Sequence, residues 1–291
     1  MNFMGENILR ADKPGWSAHW VAVLRAAHQL LDEQIIFNDS LALSILGPHA
    51  KASIRHDPIQ YDDPLSRSLR TGLVIRSRLA EDELNRSVQA GVKQYVVLGA
   101  GLNTFSFRNN HLEKGLHVYE VDHSSVQNWK RNILQEAGID VPDSMTFVAI
   151  DLEKDSLADE LQKAGFRIDQ PAYFSWLGAT VYLPKETIFE TLKFVASLPK
   201  KSGITFDYRV LPSIFNPIEY ALGKYIGKLI AEHGEPWKTS FYPTLLQIKL
   251  RRIGFQFIES HNPDELNSLY LAKHKDDLRT RIGFNLIGAK T

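Results

Sequence analysis

Glycines and aspartates stand directly behind three successive apolar stretches of the chain. Gly99, Ala100 and Gly101 follow the first stretch. Asp122 ends the second, 21 residues after Gly101, and Asp151 ends the third. Glycine at such a turn lets the backbone approach a ligand closely. An acidic side chain at about this spacing accepts hydrogen bonds from the two ribose hydroxyls of an adenosine. If the stretches are parallel strands, the three positions predict a nucleoside site at one edge of their sheet.

Further predicted contacts lie beside these positions. Asp151 could accept a hydrogen bond from the adenine amino group while Leu152 supplies apolar contact, and His123 and Leu177 also stand at strand ends. Each position alone has a plainer explanation, because Gly-x-Gly turns are common and an aspartate behind a strand often caps the next helix. Only their joint occurrence at consistent spacing favours adenosine binding.

The residue three positions after Gly101 bears on which adenosine cofactor fits. The dinucleotide fingerprint has a third glycine there, whereas this chain has Thr104, which disfavours a pyrophosphate. S-adenosylmethionine carries no phosphate, so the same framework suits it. Its methionine carboxylate needs a cation, which Arg76 or Arg78 could supply from the preceding helix. A solvated helix surface explains either arginine equally well.

Composition argues against several classes of protein. Lys and Arg total 34 and Asp and Glu total 34, so the net charge of zero disfavours nucleic acid or an anionic membrane as a partner. The chain has no cysteine and its ten histidines follow no metal-binding spacing, so we expect no metal site. No apolar run is long enough to span a membrane, and the N-terminus does not resemble a secretion signal. We therefore expect a cytoplasmic protein.

Strands and helices alternate along most of the chain, which predicts a mostly parallel α/β sheet covered on both faces. Short β-branched and apolar runs alternate with amphipathic stretches that glycines end. The predicted strands are 95–98, 117–122, 147–151, 173–177, 203–208, 255–258 and 282–289. The main predicted helices are 16–31, 64–90, 124–137, one that Pro184 opens, and 245–253.

We expect the chain to form one domain. Its predicted parts are a helical N-terminal extension at 1–92, a cofactor-binding core at 93–210, an inserted cap at 211–242 and a C-terminal part of the core at 243–291. The cap interrupts the alternation of strands and helices, and an ordinary structural insertion explains it equally well. As a cover for a second ligand, it would offer Trp237, Phe241 and Tyr242 as apolar walls.

Several short motifs occur along the chain in the order of one known family. They are 36–42 (IFNDSLA), 75–82 (IRSRLAED), 97–104 (VLGAGLNT) with Arg108, 119–122 (YEVD) with Lys130, 148–152 (VAIDL), 174–178 (FSWLG) with 182–184 (YLP), and 234–241 (GEPWKTSF). On these motifs the chain resembles, over nearly its whole length, the leucine carboxyl methyltransferase-like S-adenosylmethionine-dependent methyltransferases, especially their microbial O-methyltransferase branch.

The resemblance implies a Rossmann-like methyltransferase fold with seven strands, and S-adenosyl-L-methionine as cofactor. The expected cofactor contacts are Arg76, Gly99, Ala100, Gly101, Asp122, His123, Asp151, Leu152 and Leu177. Among them, Arg76 would pair with the methionine carboxylate and Asp122 would hold the ribose. The chain departs from the family at Asn103 and Phe105, where the family has Asp and Arg, and at Leu177, where eukaryotic members have Glu. None of these departures changes a position expected to hold adenosine.

The expected activity is O-methyl transfer to a carboxylate or hydroxyl of a small-molecule acceptor. A carboxylate acceptor needs no base, whereas a hydroxyl acceptor needs one. The candidate bases are Tyr182, Tyr208, His123 and His233. A structural role explains each of these residues as well. Two alternatives stay open, an NAD(P)-dependent oxidoreductase and a non-catalytic nucleoside-binding protein. Thr104 counts against the first, while residue types alone do not distinguish the second.

Overall fold

A seven-stranded sheet forms the centre of the computed structural model, which describes residues 15–275, 278–281 and 284–291. The strands, in chain order, are β1 (Gln94–Leu98), β2 (His117–Asp122), β3 (Met145–Ala149), β4 (Ala172–Trp176), β5 (Gly203–Arg209), β6 (Phe257–His261) and β7 (Phe284–Lys290). Every residue of β1 and β4 is buried, which explains their predominantly apolar sequence.

The strand order is β3-β2-β1-β4-β5-β7-β6. Strands β1 to β5 are parallel, and β7 is antiparallel to both of its neighbours. The mostly parallel sheet is therefore confirmed, with β7 as the exception. Chain order reverses between β1 and β4, and ligands of open α/β sheets bind outside the carboxyl ends of the strands at such a reversal.

The predicted strand positions agree with the structure, apart from shifted ends. The strand predicted at 147–151 begins and ends two residues earlier as β3, and the one predicted at 255–258 begins two residues later as β6. The last predicted strand begins at Ile282, which lies outside the described residues, and its described part is β7.

Helices cover the sheet, and further helices form the N-terminal extension. They are α1 (Trp16–Leu31), α2 (Pro48–His56), α3 (Pro64–Gln89), α4 (Ser124–Glu136), α5 (Leu157–Lys163), α6 (Lys185–Ser197), α7 (Pro217–Glu232), α8 (Pro243–Ile253) and α9 (Pro263–Leu271). Sequence analysis had not predicted α2, α7 and α9 as helices. Helices α2 and α9 are each nine residues long, and α7 lies in the predicted cap. No helix in the described part of the chain is both long and apolar enough to cross a membrane.

Helix α3 carries one wall of the site described below. Asp63 caps its N-terminus, because the carboxylate accepts hydrogen bonds from the amides of Leu65 and Ser66, and Pro64 fits the first helical position. The helix ends before Gly91, whose φ of 100° is accessible mainly to glycine. Over these 26 residues, α3 contacts α1 of the N-terminal extension as well as β4 and β5 of the sheet.

The predicted cap contains α7, which begins with a reciprocal capping box between Asn216 and Glu219. Ile226 and Ile230 on this helix are buried against Trp16 of α1. Burial of each isoleucine stabilises the contact by about 1.5 to 3 kcal/mol. The division of the chain into extension, core and cap remains a prediction.

Candidate functional site

A cavity of about 300 Å³ lies at the carboxyl ends of the central strands, beneath α1 and α7. Six of the predicted cofactor contacts line it: Arg76, Gly99, Ala100, Gly101, Asp122 and Leu177. His123, Asp151 and Leu152 are not among its lining residues. The structure thus brings together the glycine turn, the first strand-end aspartate and the helix arginine from separate parts of the chain.

The glycine turn behind β1 is tightly enclosed. Gly99 and Gly101 have φ angles of 62° and 46°, which side chains other than glycine rarely adopt. A Cβ on Gly99 would lie 2.7 Å from the Cβ of Ala179, and one on Gly101 would lie 3.0 Å from the Cβ of Ala18. Glycine is therefore required both for the backbone conformation and for the approach of neighbouring segments.

Asp122 connects the end of β2 to this turn. One carboxylate oxygen accepts a hydrogen bond from the Gly101 amide at 2.7 Å, and the other accepts one from the His123 amide at 2.7 Å. Burial raises the pKa of Asp122, although these two amides act in the opposite direction. The carboxylate lines the cavity and keeps lone pairs that ribose hydroxyls could use.

A buried ion pair supports the glycine turn from below. Lys130 Nζ lies 2.5 Å from Glu120 Oε2 and also donates a hydrogen bond to the Asn103 carbonyl at 2.6 Å. Ser106 Oγ donates to the other oxygen of Glu120. Burial lowers the pKa of Lys130 although Glu120 favours its charged form. These contacts fix the segment behind the turn, where this chain departs from the family motif.

The N-terminal extension holds the same segment from the other side. Asp39 is buried and accepts a hydrogen bond from Thr104 Oγ1 at 2.7 Å. It also forms an ion pair with Arg25, whose guanidinium donates to the Leu102 carbonyl at 2.7 Å. Thr104 therefore occupies the position of the third dinucleotide glycine with a side chain that anchors the loop.

Arg76 lies at the switch between β1 and β4. Its Nη1 is 2.6 Å from an oxygen of Asp207 on β5, and the other oxygen of Asp207 accepts a hydrogen bond from the Gly178 amide at 2.7 Å. A Cβ on Gly178 would lie 2.8 Å from Arg76 Nη2, so glycine makes room for the guanidinium. Arg76 thus lines the cavity while it remains paired.

Arg78, the alternative cation, lies elsewhere. Its Nε is 2.8 Å from Asp82 on the same helix, and about half of its side chain is exposed. Arg78 does not line the cavity, because two residues along a helix turn the side chain by roughly 200°. Of the two candidates, only Arg76 is placed to meet a ligand in this cavity.

The three remaining predicted contacts do not line the cavity and have partners elsewhere. Asp151 accepts hydrogen bonds from the Lys154 ammonium at 2.7 Å and from the Glu153 amide, and these lower its pKa. His123 is the N-cap of α4 and contacts Ser125 through Nδ1. Leu152 packs against the main core. Contact of these residues with a cofactor remains a prediction.

The four candidate bases occupy different positions relative to the cavity. Tyr182 lines the cavity, and burial, together with the charge of Glu235, raises the pKa of its phenol. Tyr208 is fully buried away from the cavity, and the ring of His233 stacks on Trp16 with its centroid 4.0 Å away. Of the four groups proposed from sequence, Tyr182 is the one that lines the cavity, since His123 caps α4 instead.

The predicted apolar walls of the cap are correct at one position out of three. Trp237 lines the cavity, whereas Phe241 is buried against Tyr208 and bridges to Val210, and Tyr242 is exposed. The chain rejoins the core at Phe241, so this residue packs under the sheet edge and does not face a ligand.

Two acidic lining residues had not been proposed. Asp207 stands on β5, and its place near a strand end was a signal that could have identified it. Glu235 follows α7, and its Oε2 accepts a hydrogen bond from the Ser17 amide at 3.0 Å. In the sequence, Glu235 was recognisable only as part of the 234–241 motif. Its place in the cavity could not be predicted, because its partner Ser17 is 218 residues away along the chain. No group of three metal-binding side chains converges within the described ranges.

A switch-point cavity with a glycine turn and a strand-end aspartate defines a nucleoside-binding protein of the open α/β class. Two solved structures share the fold at low sequence identity. A DUF574 family protein from Streptomyces avermitilis MA-4680 has a TM-score of 0.51 at 16% identity and covers 94% of this chain and 97% of its own. A protein from Thermobifida fusca YX, titled a "putative methyltransferase", has a TM-score of 0.50 at 17% identity and covers 93% and 94%.

Sequence comparison identifies the family. The leucine carboxyl methyltransferase family model matches residues 18–196. "Putative S-adenosyl-L-methionine-dependent methyltransferase YktD" from Bacillus subtilis (strain 168) is 30% identical over 286 residues, which cover 88% of this chain and 91% of the relative. A Frankia alni relative with the same descriptive name is 30% identical over 69% of this chain and 72% of its own.

The chain therefore belongs to the leucine carboxyl methyltransferase family. This confirms the expected family, together with the expected enzyme class, an S-adenosyl-L-methionine-dependent methyltransferase, and its methyl donor.

Proposed function

We propose that the protein transfers a methyl group to an oxygen atom, a carboxylate or hydroxyl, of a small molecule held between the strand ends and α7. One observation carries the proposal: Gly99, Gly101 and Asp122 line the same cavity as Ile226 and Ile230 of α7. A cofactor on the strand ends and an acceptor under α7 would therefore share one enclosure.

The lining residues fit S-adenosylmethionine. The positive-φ glycines form a tight turn that lines the cavity, and Asp122 presents a carboxylate for the ribose. Arg76 has further N–H groups beyond the one paired with Asp207, so it can also meet the methionine carboxylate. When bound, the cofactor supplies an electrophilic methyl group whose transfer discharges a sulfonium.

The protein mainly has to orient the acceptor oxygen and exclude water. Apolar side chains from several elements line the cavity, among them Trp20, Leu69, Ile230 and Trp237. Such walls keep a nucleophile in line with the transferred methyl group and remove competing water.

The alternative of a nicotinamide cofactor fits less well. Dinucleotide sites place the pyrophosphate against the N-terminus of an α-helix that follows the glycine turn. Here the turn leads into the short 3₁₀ segments Phe105–Phe107 and Leu112–Lys114 before β2. The described chain therefore offers no α-helix N-terminus for a pyrophosphate at this position.

Calorimetry of the purified protein tests the cofactor part of the proposal. We expect S-adenosylmethionine and S-adenosylhomocysteine to bind with micromolar Kd and NADH to give no heat. Replacing Asp122 with Ala would remove the proposed charge-assisted hydrogen bonds to the ribose hydroxyls, worth about 1.5 to 3 kcal/mol each, so affinity should fall at least tenfold. The exposed Asp143→Ala variant serves as the control and should bind like the wild type.

Transfer itself is tested with radiolabelled methyl donor and a panel of small carboxylic acids, alcohols and phenols, with the product identified by mass. Label on oxygen supports the proposal. Binding of NADH without response to either methionine nucleoside would overturn it, and nucleoside binding without label on any acceptor would favour the non-catalytic alternative.

A further inference from the structure

We infer that the hydroxyl group of Thr280 binds an oxygen atom of the acceptor, and that the acceptor occupies the stretch of the cavity beside Gly72 of α3. The inference rests on the proposed function and deepens it, because it assigns the acceptor a subsite and a specificity-determining residue. The ligand class that fits this subsite is an oxygen-bearing group, a carboxylate, phenol or alcohol, attached to an apolar body.

Helix α3 lines the cavity for two turns before the residue that is expected to meet the cofactor. Ser68, Gly72 and Arg76 all line it, and their spacing of four residues places them in one row along the same side of the helix. Each step along this row is about 6 Å. Of the three, only Arg76 is a predicted cofactor contact, so the stretch beside Ser68 and Gly72 is left for a second ligand.

Apolar side chains border this stretch of the cavity. Leu69, next to Ser68 on α3, packs in one cluster with Ile226 and Ile230 of α7 and with Trp237. All four of these apolar side chains line the cavity. An apolar acceptor body would therefore bury its surface between α3 and α7, while its oxygen needs a polar partner.

The hydroxyl group of Thr280 lies directly over Gly72. A Cβ on Gly72 would lie 2.7 Å from Thr280 Oγ1, so this hydroxyl group fills the space that a side chain at position 72 would need. The Thr280 backbone is fixed, because its carbonyl accepts a hydrogen bond from Asn267 Nδ2 and its amide donates to Asn267 Oδ1, each at 2.9 Å. The next amide, that of Arg281, donates to Ser68 Oγ at 3.1 Å. These bonds fix the position of the hydroxyl group without using it.

The Thr280 hydroxyl group is left without a partner. The residue is only 5% exposed and lines the cavity, yet its Oγ1 makes no hydrogen bond within the part of the chain that the structure describes. Ser77 and Ser175 also line the cavity, and both use their hydroxyl groups in hydrogen bonds to the protein. An unpaired buried hydroxyl group is costly, so such groups normally have a partner. A ligand oxygen in the cavity would supply one.

The same placement brings the acceptor close to the methyl donor. Arg76, which would meet the methionine carboxylate, follows Gly72 by one helical turn, a rise of about 6 Å. Because residue 72 is glycine, it puts no side chain between Thr280 and Arg76 along this row. An oxygen held by Thr280 would therefore share an open stretch of the cavity with the methionine end of the cofactor.

A plainer role for Thr280 is to pack its methyl group against α3. Thr280→Val separates the two roles, because valine keeps the β-branched shape and lacks the hydroxyl group. Thr280→Ser keeps the hydroxyl group and lacks the methyl group. Thr244→Val is the matched control, since Thr244 is exposed and does not line the cavity.

The test compares ligands that differ only in the oxygen-bearing group. Equilibrium dialysis measures the binding of naphthalene, 2-naphthol and 2-naphthoate to protein saturated with S-adenosylhomocysteine. We expect 2-naphthol or 2-naphthoate to bind more tightly than naphthalene. Thr280→Val should weaken the tighter of the two by about threefold or more, as expected for the loss of one hydrogen bond. Naphthalene and S-adenosylhomocysteine should bind this variant as they bind the wild type, and Thr280→Ser and Thr244→Val should keep the wild-type preference.

Either preference supports the inference, and the preferred ligand distinguishes a carboxylate acceptor from a hydroxyl acceptor. An unchanged preference in Thr280→Val overturns the inference. Equal binding of all three ligands by the wild type, or binding of none of them, overturns it as well. Failure of S-adenosylhomocysteine itself to bind would instead overturn the proposed function.

Gly72→Ala tests the position of the subsite independently. The added Cβ would displace the Thr280 hydroxyl group, so this variant should lose the preference for the oxygen-bearing ligand and still bind S-adenosylhomocysteine. Gly223→Ala is the matched control, because Gly223 also lies within a helix, α7, and a Cβ there would meet nothing within 4 Å. A retained preference in Gly72→Ala would mean that the acceptor binds elsewhere and would overturn the inference.

Discussion

The two sides of the cavity are built by different interactions. On the side of the glycine turn, buried polar groups fix the backbone, as in the Lys130–Glu120 pair and the hydrogen bond from Thr104 to Asp39. On the side of α7, apolar contacts of Ile226 and Ile230 with α1 dominate. Hydrogen bonds are directional, whereas apolar contacts are not, so the first side specifies one geometry and the second tolerates changes of shape.

This difference matches the two ligands. A cofactor of constant structure benefits from a preorganised turn, because its hydrogen bonds then form without further ordering of the chain. An acceptor pocket made of apolar side chains discriminates mainly by size and by unpaired charge. We therefore expect changes on the glycine side to affect folding and cofactor together, and changes on the α7 side to affect the acceptor.

The largest expected effect comes from breaking the buried pair. Lys130→Met leaves the Glu120 carboxylate buried without a cation, which should reduce the free energy of unfolding by about 3 to 5 kcal/mol. Urea denaturation measures the loss. The control is Lys154→Met, which removes an exposed partner of Asp151 and should leave the free energy of unfolding nearly unchanged. Similar losses for both variants would show that the glycine side does not depend on its buried polar groups.

An intermediate effect is expected on the α7 side. Ile230→Ala removes buried apolar contact with Trp16 and should cost about 2 to 3 kcal/mol in urea denaturation. Calorimetry should show an unchanged Kd for S-adenosylhomocysteine and weaker binding of an apolar aromatic ligand such as 2-naphthol. Ile218→Ala alters an isoleucine that is 73% exposed on the same helix and should change neither quantity. Weaker cofactor binding by Ile230→Ala would remove the distinction between the two sides.

The smallest effect concerns Asp122, and its sign depends on pH. Burial raises the pKa of this carboxyl above its usual value of 3.8, so the unfolded chain releases the proton first and stability falls as pH rises through this interval. Asp122→Asn removes the ionisation. The Asn amide nitrogen cannot accept one of the two backbone N–H groups, so the prediction concerns the pH trend: as pH rises from 3.8 to 7, the midpoint of thermal unfolding of the variant should rise relative to that of the wild type.

A lower midpoint for Asp122→Asn at pH 7 would mean that the charge-assisted bonds to Gly101 and His123 outweigh the desolvation of the carboxylate. In either case the variant should bind S-adenosylmethionine more weakly than the wild type. The stability measurement then reports the desolvation cost of the carboxylate, and the binding measurement reports its contribution to cofactor affinity.

Local patterns predicted much of the fold. Helix α1 was predicted at its observed residues, and α3 ended one residue from its prediction, because apolar periodicity, Pro64 and Gly91 act within the segment itself. Strand ends shifted where, as in β3, neighbours and not the strand's own residues decide the pairing. The reversal of β7 also needed the tertiary structure, since an apolar run reads the same in either direction.

The site was predictable in part for the same reason. The turn at Gly99–Gly101 and the aspartate behind β2 were recognisable because parallel strands bring consecutive carboxyl ends to one edge. Residue patterns did not separate Arg76 from Arg78, although the family resemblance implied Arg76. Phe241 and Tyr242, predicted as apolar walls, do not line the cavity. Each of these placements depends on which way a side chain is turned by its own element.

The amino-acid sequence by itself determined the alternating α/β architecture, the family, and the glycines and Asp122 at neighbouring strand ends, because those features arise from residues close together along the chain. Only the tertiary structure decided that Arg76 pairs with Asp207, 131 residues further on, and that Glu235 stands at the first turn of α1. Ion pairing and desolvation depend on distances in space, and these follow from packing of segments that are remote in sequence.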